Sequence, residues 1–399
     1  MGFIGFFIVH LRIGRLFLVP VVLNWRLFLK NTKRQSGGII NIVYVCKNCA
    51  AVVRAYRHIN LRGVFTMKKI EQNDKLEVIS IYDLEEFSIG HDADMEAITG
   101  CTVVLANKLD NLVAGSDVRG GAPGTRNLDI ISPLNCMESC QAVVLSGGSL
   151  FGLGAASGVE KCMEENNIGL PFVNVTLPVV CQAILFDLAI GSKDIRPDAQ
   201  MGYRACLNAL KREKHNDGNV GAGVGATVGK ISSPEQMMKS GLGTYCYKRG
   251  DLFVGAVVAC NAIGDVVDPD TQEIIAGALG RDLKSFLDTE KFIGENITTE
   301  DFYMGNTTIG CVITNAQLTR PQAHKIAAWS HDGIARAVRP THTMSDGDTM
   351  FCMSTNEVPV AMNLVGTLAV KAVENAIASA VRNAETLGGF KSRKEIFGK

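Results

Sequence analysis

The segment GNTTIGCVITNAQL, residues 305–318, sets a threonine where a Gly-Asn turn signal gives way to a β-rich apolar run. A threonine hydroxyl is a weak nucleophile at neutral pH unless a base takes its proton. A chain cut just before Thr307 would supply that base on the same residue, because a free α-amine has a pKa of about 7.7–8.0. The cut needs a strained turn that lets the hydroxyl reach the preceding carbonyl, and Gly305-Asn306 offers a flexible residue beside a turn former. Spacing alone favours the plainer alternative, in which Thr307 is only the first residue of a strand.

Other chemistries lack their patterns. The Gly-rich run GNVGAGVGATVGK (218–230) is no phosphate loop, since Val224 stands where the first glycine is needed and Ile231 follows Lys230. Its GxGxxA match, Gly221 to Ala226, follows the polar KREKHND rather than a strand. The glycine-flanked serine of α/β hydrolases fails at Ser149, two residues after which stands Phe151, and no HExxH occurs. His324, His331 and His342 read as surface or packing residues, and CKNC (46–49) is a lone CxxC. No metal or cofactor is called for.

Around Thr307 the sequence alternates short β-rich runs with helical ones. CTVVLA (101–106) and LVAGSDV (112–118) read as paired strands joined by NKLDN, with GGAPGTR as the loop after them. AVVLSGG (142–148) reads as a strand turning into a helix near Ser149, and residues 199–214 as a helix. LFVGAVVACNAIG (252–264) is a continuous apolar strand of the fully buried kind. The run after Thr307 leads into a helix over 320–338, a strand TMFCMST (349–355) and a long helix over 358–385. Buried strands mixed with helices indicate a layered α/β fold.

The 399-residue chain carries formal net charge zero, but its first 66 residues hold ten Lys/Arg and no Asp/Glu. The remainder is therefore net acidic by ten charges, a poor match for a nucleic-acid backbone. Residues 1–66 read as a basic, apolar extension outside the working domain, which would begin at Met67. Arg12 and Arg15 interrupt its apolar runs, so membrane association is expected only through residues 1–30, if at all. Twelve cysteines spread along apolar runs fit a reducing, cytoplasmic setting.

NTTIGCVITNAQLT, the upstream GCTVVLANKLDNLVAGSDVRGGAPGTR, LSGGSLFGL, FDLAIGSKDIRPDA, GNVGAGVGATVGK and the late DGDTMF together resemble the DmpA-type L-aminopeptidase/D-esterase family, in the family's order, over about residues 85–385. The resemblance implies an αββα four-layer sandwich like that of N-terminal-nucleophile hydrolases, and self-cleavage between Asn306 and Thr307 into an α-chain and a 93-residue β-chain, 307–399. It makes Thr307 the nucleophile, Asn219 an oxyanion donor, and Asp346 and Asp348 the polar pair that completes the site. Lys193 is a further candidate. Gly218, Gly221 and Gly223 would let the backbone approach the substrate. Two aspartates with a threonine follow the pattern of oligoamide-cleaving members rather than of narrow aminopeptidases. A homo-oligomer of αβ units, such as a tetramer, acting on small peptides or amides is implied. Acyl transfer of the ornithine acetyltransferase type, and an uncut binding or scaffold protein, are the alternatives. Arg119 would brace the Gly-rich loop or meet substrate.

Overall fold

The computed structural model describes residues 25–27, 41–46, 52–56, 70–71, 74–296 and 305–398. The chain divides into two units, Met1–Met67 and Lys68–Lys399. In the first, the described residues are three antiparallel strands, Trp25–Leu27, Asn41–Cys46 and Val52–Tyr56. The remainder of the extension expected from sequence lies outside the described residues.

The second unit is built on two sheets. One has six strands in the order Leu76–Ile79, Leu242–Arg249, Leu252–Asn261, Thr307–Ala316, Thr349–Val358 and Val113–Val118. The other has five, ordered Phe87–Asp94, Thr99–Ala106, Ala142–Ser146, Val180–Ile184 and Thr125–Arg126. Between them lies a core to which both contribute, including Phe87, Val104, Leu145 and Ala183 from the smaller sheet and Phe253, Ile309, Cys311 and Phe351 from the larger. Helices Ala155–Glu165 and Ala199–Lys211 bury their apolar faces on the outside of the smaller sheet. Helices Arg320–Ala337 and Met362–Arg382 do the same on the larger. The layers therefore run α, β, β, α, the sandwich the resemblance implies.

Strands covered on both faces must be apolar throughout, which is why Leu252–Asn261 and Thr307–Ala316 read as unbroken runs rather than alternating ones. Every residue of both is buried. At about 1.5–3 kcal/mol for each fully buried large aliphatic side chain, such strands hold their ends rigidly.

One pairing differs from the sequence expectation. Thr99–Ala106 and Val113–Val118 are both strands, but they belong to different sheets, so the segment between them crosses from one layer to the other. Period and turn residues identify strands without naming their partners. The helix expected over 358–385 begins at Met362, because the preceding strand extends to Val358 and Pro359 follows. The helix over 199–214 stops at Lys211, where Arg212 turns left-handed at φ 58°.

Candidate functional site

Topology brings four chain ends together at one edge of the larger sheet. Thr307–Ala316 and Thr349–Val358 are parallel, joined through helix Arg320–Ala337, so both enter the sheet from this edge. Their antiparallel neighbours Leu252–Asn261 and Val113–Val118 both leave from it. Thr307 thus sits between the loop preceding Thr349, which carries Asp346 and Asp348, and the end of the strand that finishes at Asn261.

Thr307 is 3% exposed and is the first strand residue after an isolated bridge between Asn306 and Asp346. Its Oγ1 contacts the carbonyl oxygen of Asn306. That same oxygen accepts a hydrogen bond from Gly347 N at 3.0 Å, and Asn306 N donates to Ser345 O at 3.3 Å. The peptide before the nucleophile candidate is therefore laid along the 345–347 loop with its carbonyl already engaged. The Asn306 side chain is buried with neither amide atom hydrogen-bonded.

The two aspartates differ in environment. Asp348 Oδ1 accepts from Thr308 N at 2.6 Å, and its Oδ2 from Thr341 Oγ1, His342 N and His342 Nδ1 at 3.0, 3.1 and 2.7 Å. Burial opposes its ionisation, but these donors outweigh it and hold the carboxyl below the usual range. Among the described residues the Asp346 carboxylate accepts only from Thr343, with Oδ2 taking its N at 2.8 Å and its Oγ1 at 2.6 Å. Burial first, and the charge of Asp348 second, push it up to about 6.

Lys230 and Asn261 also belong to this edge. Lys230 is 3% exposed, and its Nζ donates to Asn261 Oδ1 at 2.6 Å, Asn261 O at 3.1 Å and Gly305 O at 3.4 Å. Burial brings it down to about 7, against the opposing pull of Asp346, Cys260 and Asp187. Asn261 is the strand partner of Thr307, and its Nδ2 donates to Phe186 O at 2.9 Å, tying in the end of the smaller sheet. Asp346 and Lys230 thus both titrate close to neutrality, the range a proton carrier needs.

The loop GGAPG closes the site from the other side. Arg119 N and Gly120 N donate to Asp348 O at 3.0 and 3.3 Å, and Ala122 N to Asp346 O at 2.8 Å. The Arg119 guanidinium turns away to Asp117, Asp332 and Ala328 O, so it braces the loop against helix Arg320–Ala337.

Of the residues singled out in the sequence, Asn306, Thr307, Asp346 and Asp348 are brought together. Asn219 and Lys193 are not placed with them. The Asn219 amide is occupied by the backbone of Glu385, donating to its carbonyl at 2.8 Å and accepting from its N at 3.2 Å. Lys193 is exposed in its loop, where its carbonyl accepts from Arg196 Nε at 2.6 Å. Gly218, Gly221 and Gly223 face protein rather than an open cleft: a Cβ on Gly218 would meet Asn383 O at 2.3 Å, on Gly221 Thr102 Oγ1 at 2.2 Å, and on Gly223 Leu242 N at 2.1 Å. The physical reason is that these glycines pack against neighbouring backbone and side chains, and the part of the run that reaches this edge is its last residue, Lys230.

Lys230, Asn261 and His342 are the residues sequence reasoning missed. Their signals were faint but present: a lone lysine closing an otherwise apolar Gly-rich run, an asparagine closing a wholly apolar strand, and a histidine four residues before an acidic pair. His324 and His331 do pack, donating to or contacting backbone carbonyls of Ser116, Ile131 and Asp117, whereas His342 reaches Asp348.

An αββα sandwich with this edge arrangement is the fold of the N-terminal-nucleophile hydrolases. The model of peptidase family S58 matches residues 80–395, and the chain belongs to that family. It is 35% identical over 357 residues to an uncharacterized aminopeptidase of Mycobacterium leprae, covering 78% of this chain and 92% of that one. It is 29% identical over 290 residues to the 6-aminohexanoate-oligomer endohydrolase of Paenarthrobacter ureafaciens, covering 69% and 75%. Among solved structures, the L-aminopeptidase D-Ala-esterase/amidase of Ochrobactrum anthropi, described as a variant of the N-terminal-nucleophile hydrolase fold, superposes with a TM-score of 0.58 over 77% of this chain and 87% of that one, at 17% identity. The protein is a hydrolase of peptide or amide bonds.

Proposed function

We propose that the chain cuts itself between Asn306 and Thr307 and then uses Thr307 as an N-terminal nucleophile on small peptides, amino-acid amides or oligoamides. The observation that carries this reading is the double engagement of one carbonyl: Thr307 Oγ1 against Asn306 O, and Gly347 N donating to it at 3.0 Å. In self-cleavage, Oγ1 attacks the Asn306 carbonyl carbon, and the oxyanion that forms is met by the Gly347 N–H. The hydroxyl proton passes through the near-neutral Lys230–Asp346 pair to the departing nitrogen of Thr307. The C–N bond breaks, an ester joins Asn306 to Oγ1, and water hydrolyses it to free the Thr307 amine.

In the mature enzyme that amine takes the Oγ1 proton as Oγ1 attacks the substrate carbonyl, then passes it to the leaving amine. Water releases the acyl group by the same route. Asp348, ionised and hydrogen-bonded to Thr308 N, orients the ammonium, and Lys230 offers positive charge where the oxyanion develops.

Denaturing mass analysis tests the reading. Two chains are expected, the smaller starting at Thr307, with Thr307→Ala giving a single uncut chain. A folded wild-type protein that hydrolyses amides while remaining intact would overturn it. Assay of L-, D- and β-aminoacyl amides beside short oligoamides then identifies the substrate class.

A further inference from the structure

Asp348 is served unequally at its two oxygens. Oδ2 takes three donors, Thr341 Oγ1 at 3.0 Å, His342 N at 3.1 Å and His342 Nδ1 at 2.7 Å, while Oδ1 takes one, Thr308 N at 2.6 Å. An ionised carboxylate has about two acceptor sites on each oxygen. Oδ2 is therefore saturated, whereas Oδ1, among the described residues, takes only Thr308 N and keeps a further acceptor site beside the first residues of the strand.

The imidazole of His342 is itself fixed. With Nδ1–H given to the carboxylate, its Nε2 is buried and has no hydrogen-bond partner. Its ring meets that of His331 edge-on, centroids 4.9 Å apart at 71°. His331 is fully buried and donates Nε2–H to Asp117 O at 3.1 Å, leaving its Nδ1 without a partner too. Burial brings His331 down to about 4, so His342 leans on an uncharged ring. The charged groups around the pair are Asp348 and Asp346 on its own loop, Asp117 behind His331 with its carboxylate 3.7 Å from Nε2, and Arg119, which pairs with Asp117 at 3.1 Å and with Asp332 at 3.5 Å.

We propose that His342 is a positioning residue for hydrolysis: acting through Asp348, it keeps that carboxylate ionised with Oδ1 turned to the place where the Thr307 amine is released. This rests on Thr307 being the nucleophile. The hydrogen bonds of His342 go to Asp348, through which it acts. Its loss removes a charge-assisted hydrogen bond from Asp348, so the carboxylate becomes easier to protonate and the amine loses its partner at higher pH than before.

The test compares His342→Leu, His342→Asn and His342→Gln with wild type in kcat and KM against pH. An asparagine Nδ2 falls where Nδ1 stands, whereas a glutamine amide reaches toward the Nε2 position. The Leu variant should lose about tenfold in kcat near pH 7 through misplacement of the carboxylate, and the loss should deepen as pH falls below about 5, where the acid limb contributed by Asp348 is displaced upward by about one pH unit, with KM little changed. Asn should recover most of this and Gln little. An unmoved acid limb, or Asn and Gln variants of equal activity, would overturn the proposal. Should the Leu variant not fold, the Asn and Gln pair decides alone. Proton NMR of uncut Thr307→Ala protein reads the same hydrogen bond without any cleavage: a downfield imidazole N–H is expected, lost in Thr307→Ala/His342→Asn, and its absence from the first protein counts against the proposal. Failure of the nucleophile reading shows separately, as an intact wild-type chain.

Discussion

Lys230 donates from Nζ to Asn261 Oδ1 at 2.6 Å, and Asn261 is the residue paired with Thr307 across the antiparallel strands. A buried ammonium is costly without partners, and here it has three oxygens, one of them on Gly305, two residues before the nucleophile candidate. The arrangement couples the end of the Gly-rich run to the start of the central strand.

Lys230→Met keeps the side chain's length and removes its charge. Self-cleavage and amide hydrolysis should fall by about two orders of magnitude or more, the scale of losing a donor at a developing oxyanion. Lys193→Ala, on an exposed loop, should leave both within about twofold. Mass analysis for cleavage and steady-state rates for hydrolysis check the contrast, and equal effects of the two substitutions would contradict it.

Asn219 and Asn261 separate a bracing amide from one at the site. Asn219→Ala breaks two hydrogen bonds to Glu385, which are worth about 0.5–1.5 kcal/mol each in stability, and should change kcat by less than about threefold. Asn261→Ala strips Lys230 of an acceptor and Phe186 O of a donor, and should cost about a hundredfold in kcat. Thermal melts beside kinetics distinguish the two, and a reversed order would show that the Gly-rich loop reaches the substrate after all.

Gly347 has no room for a side chain. A Cβ there would lie 2.8 Å from Ala122 O and 2.9 Å from Thr307 Oγ1. Gly347→Ala should therefore displace the hydroxyl from its carbonyl and slow self-cleavage at least about a hundredfold, by the misplacement expected to spoil near-attack geometry. The yield of β-chain over time on denaturing gels is the measurement, and wild-type cleavage would refute the assigned contact.

In the uncut Thr307→Ala protein, Asp346 and Lys230 should each impose a pH dependence on stability that substitution of that residue removes. Asp346 is raised from 3.8 to about 6 on folding, so the folded chain binds its proton more tightly and stability falls as pH rises through that window. Lys230 is lowered from 10.5 to about 7, so above neutrality the unfolded chain binds more proton and stability recovers with rising pH. The depressed carboxyl of Asp348 contributes its own loss only below about pH 4. Urea unfolding at pH 4.5, 6.5 and 8.5 reads both contributions, on a background in which buried His91 and His331, held below their usual range, gain stability as pH rises toward 6.5. Adding Asp346→Asn should remove a fall in stability between the first two values, and adding Lys230→Met a rise between the last two. Profiles whose pH dependence does not change when either substitution is added would be inconsistent with these environments.

Several elements were legible because their cause is local. The unbroken apolar runs at 252–261 and 307–316 read as buried strands, and Gly305-Asn306 before a β-branched pair reads as a turn at which a cut would leave a rigidly held amine. Thr307, Asp346 and Asp348 lie close in sequence to strand starts, and the start of a strand is what local pattern reports best. Asn219, Lys193 and the loop glycines were drawn in by the family resemblance, which matches a Gly-rich loop with a polar residue without fixing which of its residues points to the site.

The sequence by itself determined the layered fold, the family and the nucleophile candidate, because hydrophobic period and motif order are carried along the chain. Only the tertiary structure decided which polar residues meet. Val113–Val118 pairs with Thr349–Val358 rather than with the strand next to it in sequence, and the parallel pairing of Thr307–Ala316 with Thr349–Val358 gathers Asn261, Lys230 and His342 at one edge. Those neighbours are set by strand register between segments far apart in the chain, and register depends on which faces become buried, a property of the assembled sheets and not of any one of their strands.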